Sequence, residues 1–141
     1  MSKYDGKQFT NFTINEGLTG NIIYQISELD DGSIWAGTND GISVFHNFKF
    51  SSFDISKGVS VKKVTAILED YKKNKWFSTY GNGMCLIDHG RFFTLTKDEG
   101  LTDNNILCMK EDNEGNIWIG TPRGLCRYSG GREALEGQSQ A

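Results

Sequence analysis

Three glutamates, Glu28, Glu69 and Glu111, recur 41 and 42 residues apart. Paired carboxylates are the working set of glycoside hydrolysis, one protonated and one ionised. Regular recurrence argues against that chemistry. An acid and a base need different surroundings, whereas a repeated structural place wants the same residue for a turn-capping hydrogen bond or a solvated strand end. The two histidines, His46 and His89, do not align with each other, since Asp88 stands opposite His46; they read as exposed turn residues rather than bases or metal ligands. Cys85, Cys108 and Cys126 are an odd number with no CxxC pair, which predicts reduced, buried thiols. The run Asp112 to Asn116 (DNEGN) lacks the spacing and distal glutamate of an EF-hand and reads as a hairpin turn. There is no glycine-rich phosphate loop, Ser-His-Asp set or nucleophile elbow. No catalytic residue, metal or cofactor is assigned, and the expectation is a protein that is not an enzyme.

A second set of residues suits binding. Tyr80 could stack on a sugar ring, and Asn39, Asn82, Asn104 and Arg123 could hydrogen-bond its hydroxyls. These five are the candidate ligand-binding residues. What gathers them is a repeat. Trp35, Trp76 and Trp118 keep the glutamates' spacing, as do Phe9, Phe50 and Phe92, the threonines Thr38, Thr79 and Thr121, and Gly17, Gly58 and Gly100 with the apolar residue after each. A period near 42 fits a helical solenoid or a propeller blade. Local patterning selects strands: IIYQISEL (Ile22 to Leu29), SIWAGT (Ser33 to Thr38), GISVFH (Gly41 to His46) and FKFSSFD (Phe48 to Asp54) are short, β-branched or aromatic, and divided by turn residues. Asp31-Gly32 and Glu114-Gly115 supply the positive φ of tight hairpins.

The fold class is therefore all-β: β-propeller blades of four antiparallel strands, three blades per chain at about residues 8–46, 47–89 and 90–128, followed by a mobile C-terminal tail at 129–141. The tryptophans form the structural core, each filling the wedge between neighbouring sheets. The loops from a blade's outermost strand to the next blade's innermost strand (Asn15 to Asn21, Ser56 to Lys63, Lys97 to Asn105) share one face with the short turns Asn39-Asp40, Tyr80-Gly81-Asn82 and Pro122-Arg123. These turns vary between a recurring threonine and glycine, as a binding face would.

With 37% hydrophobic and 23% charged residues the 141-residue chain can form one soluble domain. Its net charge of −3, with no basic run, excludes nucleic acid and anionic membranes as natural partners. No apolar stretch is long enough to span a bilayer, and no signal-peptide core is visible.

The stretch EGLTDNNILCMKEDNEGNIWIGTPRGLCRYSG, Glu99 to Gly130, resembles the two-component regulator propeller repeat of hybrid histidine kinases. The likeness runs from Phe9 to about Tyr128 and is weakest in the second repeat, where Lys73 replaces the turn glycine and Lys75 the isoleucine. What this resemblance implies is a periplasmic sensor module for a carbohydrate or other extracellular signal, without catalysis. The chain by itself, read as complete, would be cytoplasmic. Two other readings stay open at this stage: a propeller lyase or hydrolase, and a purely structural assembly module.

Counting strands adds one expectation. Gln8 to Thr13 matches the outermost strand of a blade, because Phe9 aligns with Phe50 and Phe92, while the third repeat supplies three strands up to Tyr128. Exchange of Gln8 to Thr13 between two chains would complete both third blades and close a six-bladed homodimer.

Overall fold

The computed structural model describes residues 1–53 and 62–129. The expected tail beyond 129 and most of the second connecting loop, with Gly58, lie outside the described residues. After a two-stranded N-terminal sheet, three larger sheets follow one another along the described residues. The first holds β3 (Ile23–Glu28), β4 (Ile34–Thr38), β5 (Gly41–His46) and β6 (Lys49–Phe53); the second holds β7 (Val64–Glu69), β8 (Lys75–Thr79), β9 (Met84–Asp88) and β10 (Arg91–Leu95). The third has β11 (Cys108–Glu111), β12 (Ile117–Thr121) and β13 (Gly124–Tyr128). All strands pair antiparallel with their sequence neighbours, in the manner of propeller blades. No helix among the described residues is long and apolar enough to cross a membrane.

The N-terminus departs from the expected count. Ser2–Tyr4 forms a strand, β1, which pairs with β2 (Phe9–Asn11). The sequence reading placed a strand at 8–13 and none before it, because a short run of Ser, Lys and Tyr has no strand period to detect.

Turn chemistry explains the hairpins. Gly32 and Gly115 both hold φ +85° in the β3–β4 and β11–β12 turns, and Lys73 takes the same left-handed place in the second blade at φ +70°. The blades then pack through the face of the second strand. At Gly37 an added Cβ would lie 2.4 Å from the Val64 carbonyl oxygen of the next blade, so only glycine lets the two backbones approach this closely. The second blade has Ser78 instead, and Thr65 compensates: its hydroxyl lies 3.0 Å from that of Ser78 and donates to the Ile106 carbonyl at 2.6 Å.

Two apolar clusters fill the junctions. Leu29, Trp35 and Ile42 meet Val64, Ile67, Phe77 and Cys85 between the first and second blades. Ala66, Trp76, Met84 and Leu86 meet Ile106, Met109, Ile117, Ile119 and Tyr128 between the second and third. Trp35 stacks on Phe77 at 6.0 Å, and Trp76 packs edge-on to Tyr128 at 5.1 Å. Each tryptophan thus belongs to its own blade and leans on the following one. Trp118 breaks the pattern: it is half-buried, since no further blade packs on the third among the described residues. For the same reason Cys108 is exposed, correcting the expectation that all three thiols are buried. Burial pushes the Cys85 thiol up to about 11.

The indole nitrogens reveal a feature the sequence reading missed. Trp76 Nε1 donates to Asp70 Oδ2 and Trp118 Nε1 to Asp112 Oδ2, both at 2.9 Å. In the first blade Leu29 occupies the aspartate's position, and Trp35 Nε1 donates instead to Ser33 Oγ at 2.8 Å.

Candidate functional site: the loop face

The threonines that end the second strands build the short turns. Thr38, Thr79 and Thr121 donate to the carbonyls of Gly41, Gly83 and Gly124 at 3.1, 2.8 and 2.9 Å. Each hydroxyl also accepts a backbone N–H from inside its turn, that of Asp40, Asn82 or Arg123. The frame is constant and its contents differ, as the sequence suggested.

The longer connections are equally built. Thr13 and Glu16, and again Thr96 and Glu99, form reciprocal capping boxes around one turn of 3-10 helix. Each turn ends in a left-handed glycine, Gly17 or Gly100, and then drops a buried leucine, Leu18 or Leu101, under the rim. The signal, Thr-x-x-Glu-Gly-Leu, was present in the sequence and went unused.

Among the five candidate residues, the amide oxygens of Asn104 and Asn39 accept backbone hydrogen bonds. Asn104 Oδ1 accepts from Lys97 N–H at 2.8 Å, and Asn39 Oδ1 accepts from Ile22 N–H at 3.1 Å. Both therefore shape the rim before they contact anything else. Tyr80 is 41% exposed and forms an isolated bridge with Asn105. Asn105 N–H donates to Asp103 Oδ1 at 2.9 Å, and Asp103 Oδ2 lies 3.7 Å from Arg123 Nε. Tyr80, Asn104 and Arg123 are thereby brought together between the second and third blades, and Asn82 lies beside them in the Tyr80 turn, where Gly81 and Gly83 N–H groups donate to the Asn104 carbonyl. Asn39 stands one blade away, linked through Lys63, whose N–H donates to the Asn39 carbonyl and whose carbonyl accepts from Tyr80 N–H. Asp103 and Asn105 are further rim residues that residue-type reasoning passed over. Lys62 adds a cation on the same face, 3.4 Å from Asp40.

The carboxylates that resemble an acid–base pair are otherwise engaged. Glu69 Oε1 accepts the Asp30 N–H at 3.0 Å and Glu111 Oε2 the Tyr71 N–H at 3.1 Å, each capping a hairpin turn of the preceding blade. Asp112 Oδ1 closes its own turn through Glu114 and Asn116, as the hairpin reading of DNEGN expected. His89 contacts Asp88 on the opposite rim, and both histidines are exposed.

Residues 17–40 and 100–123 match the family described as Two component regulator propeller. At these two segments the chain resembles two-component regulator propellers. The matched segments fall in the first and third repeats and pass over the second, where Lys73 and Ser78 depart from the pattern. Among solved structures, the chain is similar to the extracellular domain of BT3049, described as a hybrid two component system from B. thetaiotaomicron, with 26% identity and a TM-score of 0.78 over 94% of this chain. The extracellular domain of BT4673 from the same organism follows at 22% identity, TM-score 0.70, over 79% of the chain. The chain spans 19% and 17% of the lengths of these two structures. A catalytically inactive virginiamycin B lyase from Staphylococcus aureus, with quinupristin, matches at 19% identity and TM-score 0.57 over 77% of this chain and 38% of its own, which shows the fold alone. A search of the curated proteins finds no match. The chain thus resembles the propeller sensor regions of two-component systems.

Proposed function

We propose that these repeats form a non-catalytic binding module that takes a small molecule, glycan or protein at the loop face. The observation that carries the reading is the rim cluster of Tyr80, Asn82 and Arg123 beside Asn104: turn side chains that differ from blade to blade, on a frame fixed by the threonine turns, the capping boxes and the recurring Asn21 and Asn104. A ligand bound there meets an aromatic ring, amide groups and a guanidinium whose side chain is 71% exposed, a combination suited to a polar ring. The engagement of Glu69 and Glu111 with backbone N–H groups supports binding over acid–base chemistry. The similarity, at 26% identity, to the extracellular domain of a hybrid two component system supports a signal-receiving role.

A thermal-shift screen with oligosaccharides and small polar metabolites tests this, since a ligand that binds the folded state raises the melting temperature by mass action. The double variant Tyr80→Ala/Arg123→Ala should lose the shift while keeping its unliganded melting temperature within a few degrees, because both side chains are exposed. An undiminished shift removes these residues from the site.

A further inference from the structure

The two junctions within the chain obey one rule. The leading face of each blade presents its tryptophan and a hairpin-turn N–H, and the trailing face of the next presents an aromatic or aliphatic wall and a capping glutamate. Trp35 and Asp30 N–H meet Phe77 and Glu69; Trp76 and Tyr71 N–H meet Tyr128 and Glu111. Two half-junctions are left over. The third blade ends in a leading face with Trp118 half-buried, Leu107 and Leu125 more than half exposed, and Asn113 at the place of Asp30 and Tyr71. The first blade begins with a trailing face: Ile26, Ile34 and Phe45 line a groove of about 570 Å³, with Glu28 at the place of Glu69 and Glu111.

The N-terminal segment supplies a second, independent match. The capping box at Thr13 repeats the one at Thr96, down to Gly17 at φ 113° and Gly100 at φ 112°, so residues 8–12 correspond to β10, the outermost strand of the second blade. Phe12 corresponds to buried Leu95 and packs on Phe45 and Phe50 at 5.8 and 5.2 Å, against the trailing face of the first blade. β2 therefore lies as the last strand of a blade that precedes the first. The third blade has the complementary deficiency: three strands, with no further strand beside β13 among the described residues.

We propose that a second copy of this chain fills both half-junctions, with β2 of each copy pairing with β13 of the other to close a six-bladed ring of two-fold symmetry. Continuity with the junctions inside the chain selects this partner, because the two open faces are the two halves of a contact the chain already makes twice. Six blades lie within the ~4–8 range of closed propellers. Glu28 then caps Asn113 N–H of the partner subunit. The β9–β10 ladder sets the register: Thr94 opposes Cys85 and Phe92 opposes Ile87, so Asn11 opposes Cys126 of the partner subunit and Phe9 opposes Tyr128 of the partner subunit.

In the single chain β1 covers the edge that β13 requires. Phe12 exchanges both backbone hydrogen bonds with Met1, at 2.7 and 3.0 Å. The two-residue turn at His89 and Gly90 makes Asp88 and Arg91 a hydrogen-bonded pair, and antiparallel alternation carries that pairing to Met84 and Leu95. Leu95 and Phe12 thus point their backbone groups toward β9 and β1 respectively. β1 acts as a stand-in that shields the edge until a partner displaces it.

Sedimentation equilibrium of the 141-residue chain should give twice the 15.8 kDa chain mass. Removing residues 1–6 should tighten the dimer, removing residues 1–12 should abolish it, and Glu28→Ala should weaken it by at least about tenfold, as loss of a charge-assisted bond at each junction requires. In a Cys108→Ser background, Asn11→Cys should form a reducible covalent dimer through native Cys126, absent when Cys126 is also replaced by Ser. A folded, monodisperse monomer up to high micromolar concentration overturns the proposal. So does a dimer that survives loss of residues 1–12, or one in which Asn11→Cys fails to link.

Discussion

Replacing Trp76 with alanine removes the largest fully buried side chain of the second blade, 1% exposed and flanked by the third blade's Ile117, Ile119 and Tyr128. An indole buries ~200 Å² or more, worth about 5 kcal/mol at ~25 cal/mol per Å². Residual compaction of the unfolded chain lowers that to about 4 kcal/mol, within the ~3–5 kcal/mol range of large aromatic truncations. The change also strips Asp70 Oδ2 of its indole donor in a site where the aspartate is only 7% exposed, adding about 1 kcal/mol. Trp76→Ala should therefore destabilise by about 5 kcal/mol, comparable to the whole stability of many domains. Trp76→Phe, which keeps most of the apolar volume and loses the N–H, should cost about 1–2 kcal/mol. Urea unfolding followed by far-UV circular dichroism measures both. A loss under 1 kcal/mol for the alanine variant would refute the assignment of the repeated tryptophan as blade-to-blade core. Trp118→Ala, at the half-buried equivalent position, should cost roughly half as much in dilute solution.

Gly37→Ala should cost at least ~2–3 kcal/mol in the same unfolding assay, because its Cβ would meet a backbone oxygen of the next blade that no side-chain rotation can clear; a cost below 0.5 kcal/mol would show that the blades slide apart freely. Stability should also fall in acid through Asp112. Its carboxyl is held down to about 2, first by the Trp118 N–H and then by bonds from Asn116 and Glu114. A depressed folded pKa makes the unfolded state bind more protons, so this contribution is present above about pH 4 and is lost as pH falls toward 2. Asp112→Asn should flatten that part of the pH–stability curve, and an unchanged curve would remove Asp112 as a cause.

The repeat was legible because its landmarks perform one task in every blade. Trp35 and Trp76 fill wedges, the threonines close turns, and Gly32 and Gly115 take the left-handed corner, so sequence periodicity and physical role coincide. The residues lost to sequence reasoning act across blades instead of along the chain. Turn capping by Glu69 and Glu111 was legible from their recurrence, but nothing local shows that the capped turn belongs to the preceding blade, and Asp70 is invisible as an indole acceptor until the hairpin folds Trp76 back over it. The exposure of Cys108 and the half-burial of Trp118 have a related cause: burial at a blade face depends on the next blade, which the residue's own repeat cannot reveal. The binding face was read by residue type. Its frame was recoverable, but the engagement of the Asn39 and Asn104 amide oxygens with backbone N–H groups appears only in three dimensions.

The most direct measurement of the central claim is a two-dimensional amide NMR titration of the labelled chain with the strongest ligand from the thermal-shift screen. Binding at the loop face predicts shifts concentrated at Asn39 and Asp40, Tyr80 to Asn82, Asp103 to Asn105 and Arg123, with the ligand recovered chemically unchanged. Shifts confined to the opposite rim, around Asp31, Lys73, Glu114 and His89, or conversion of the ligand to a product, would contradict it.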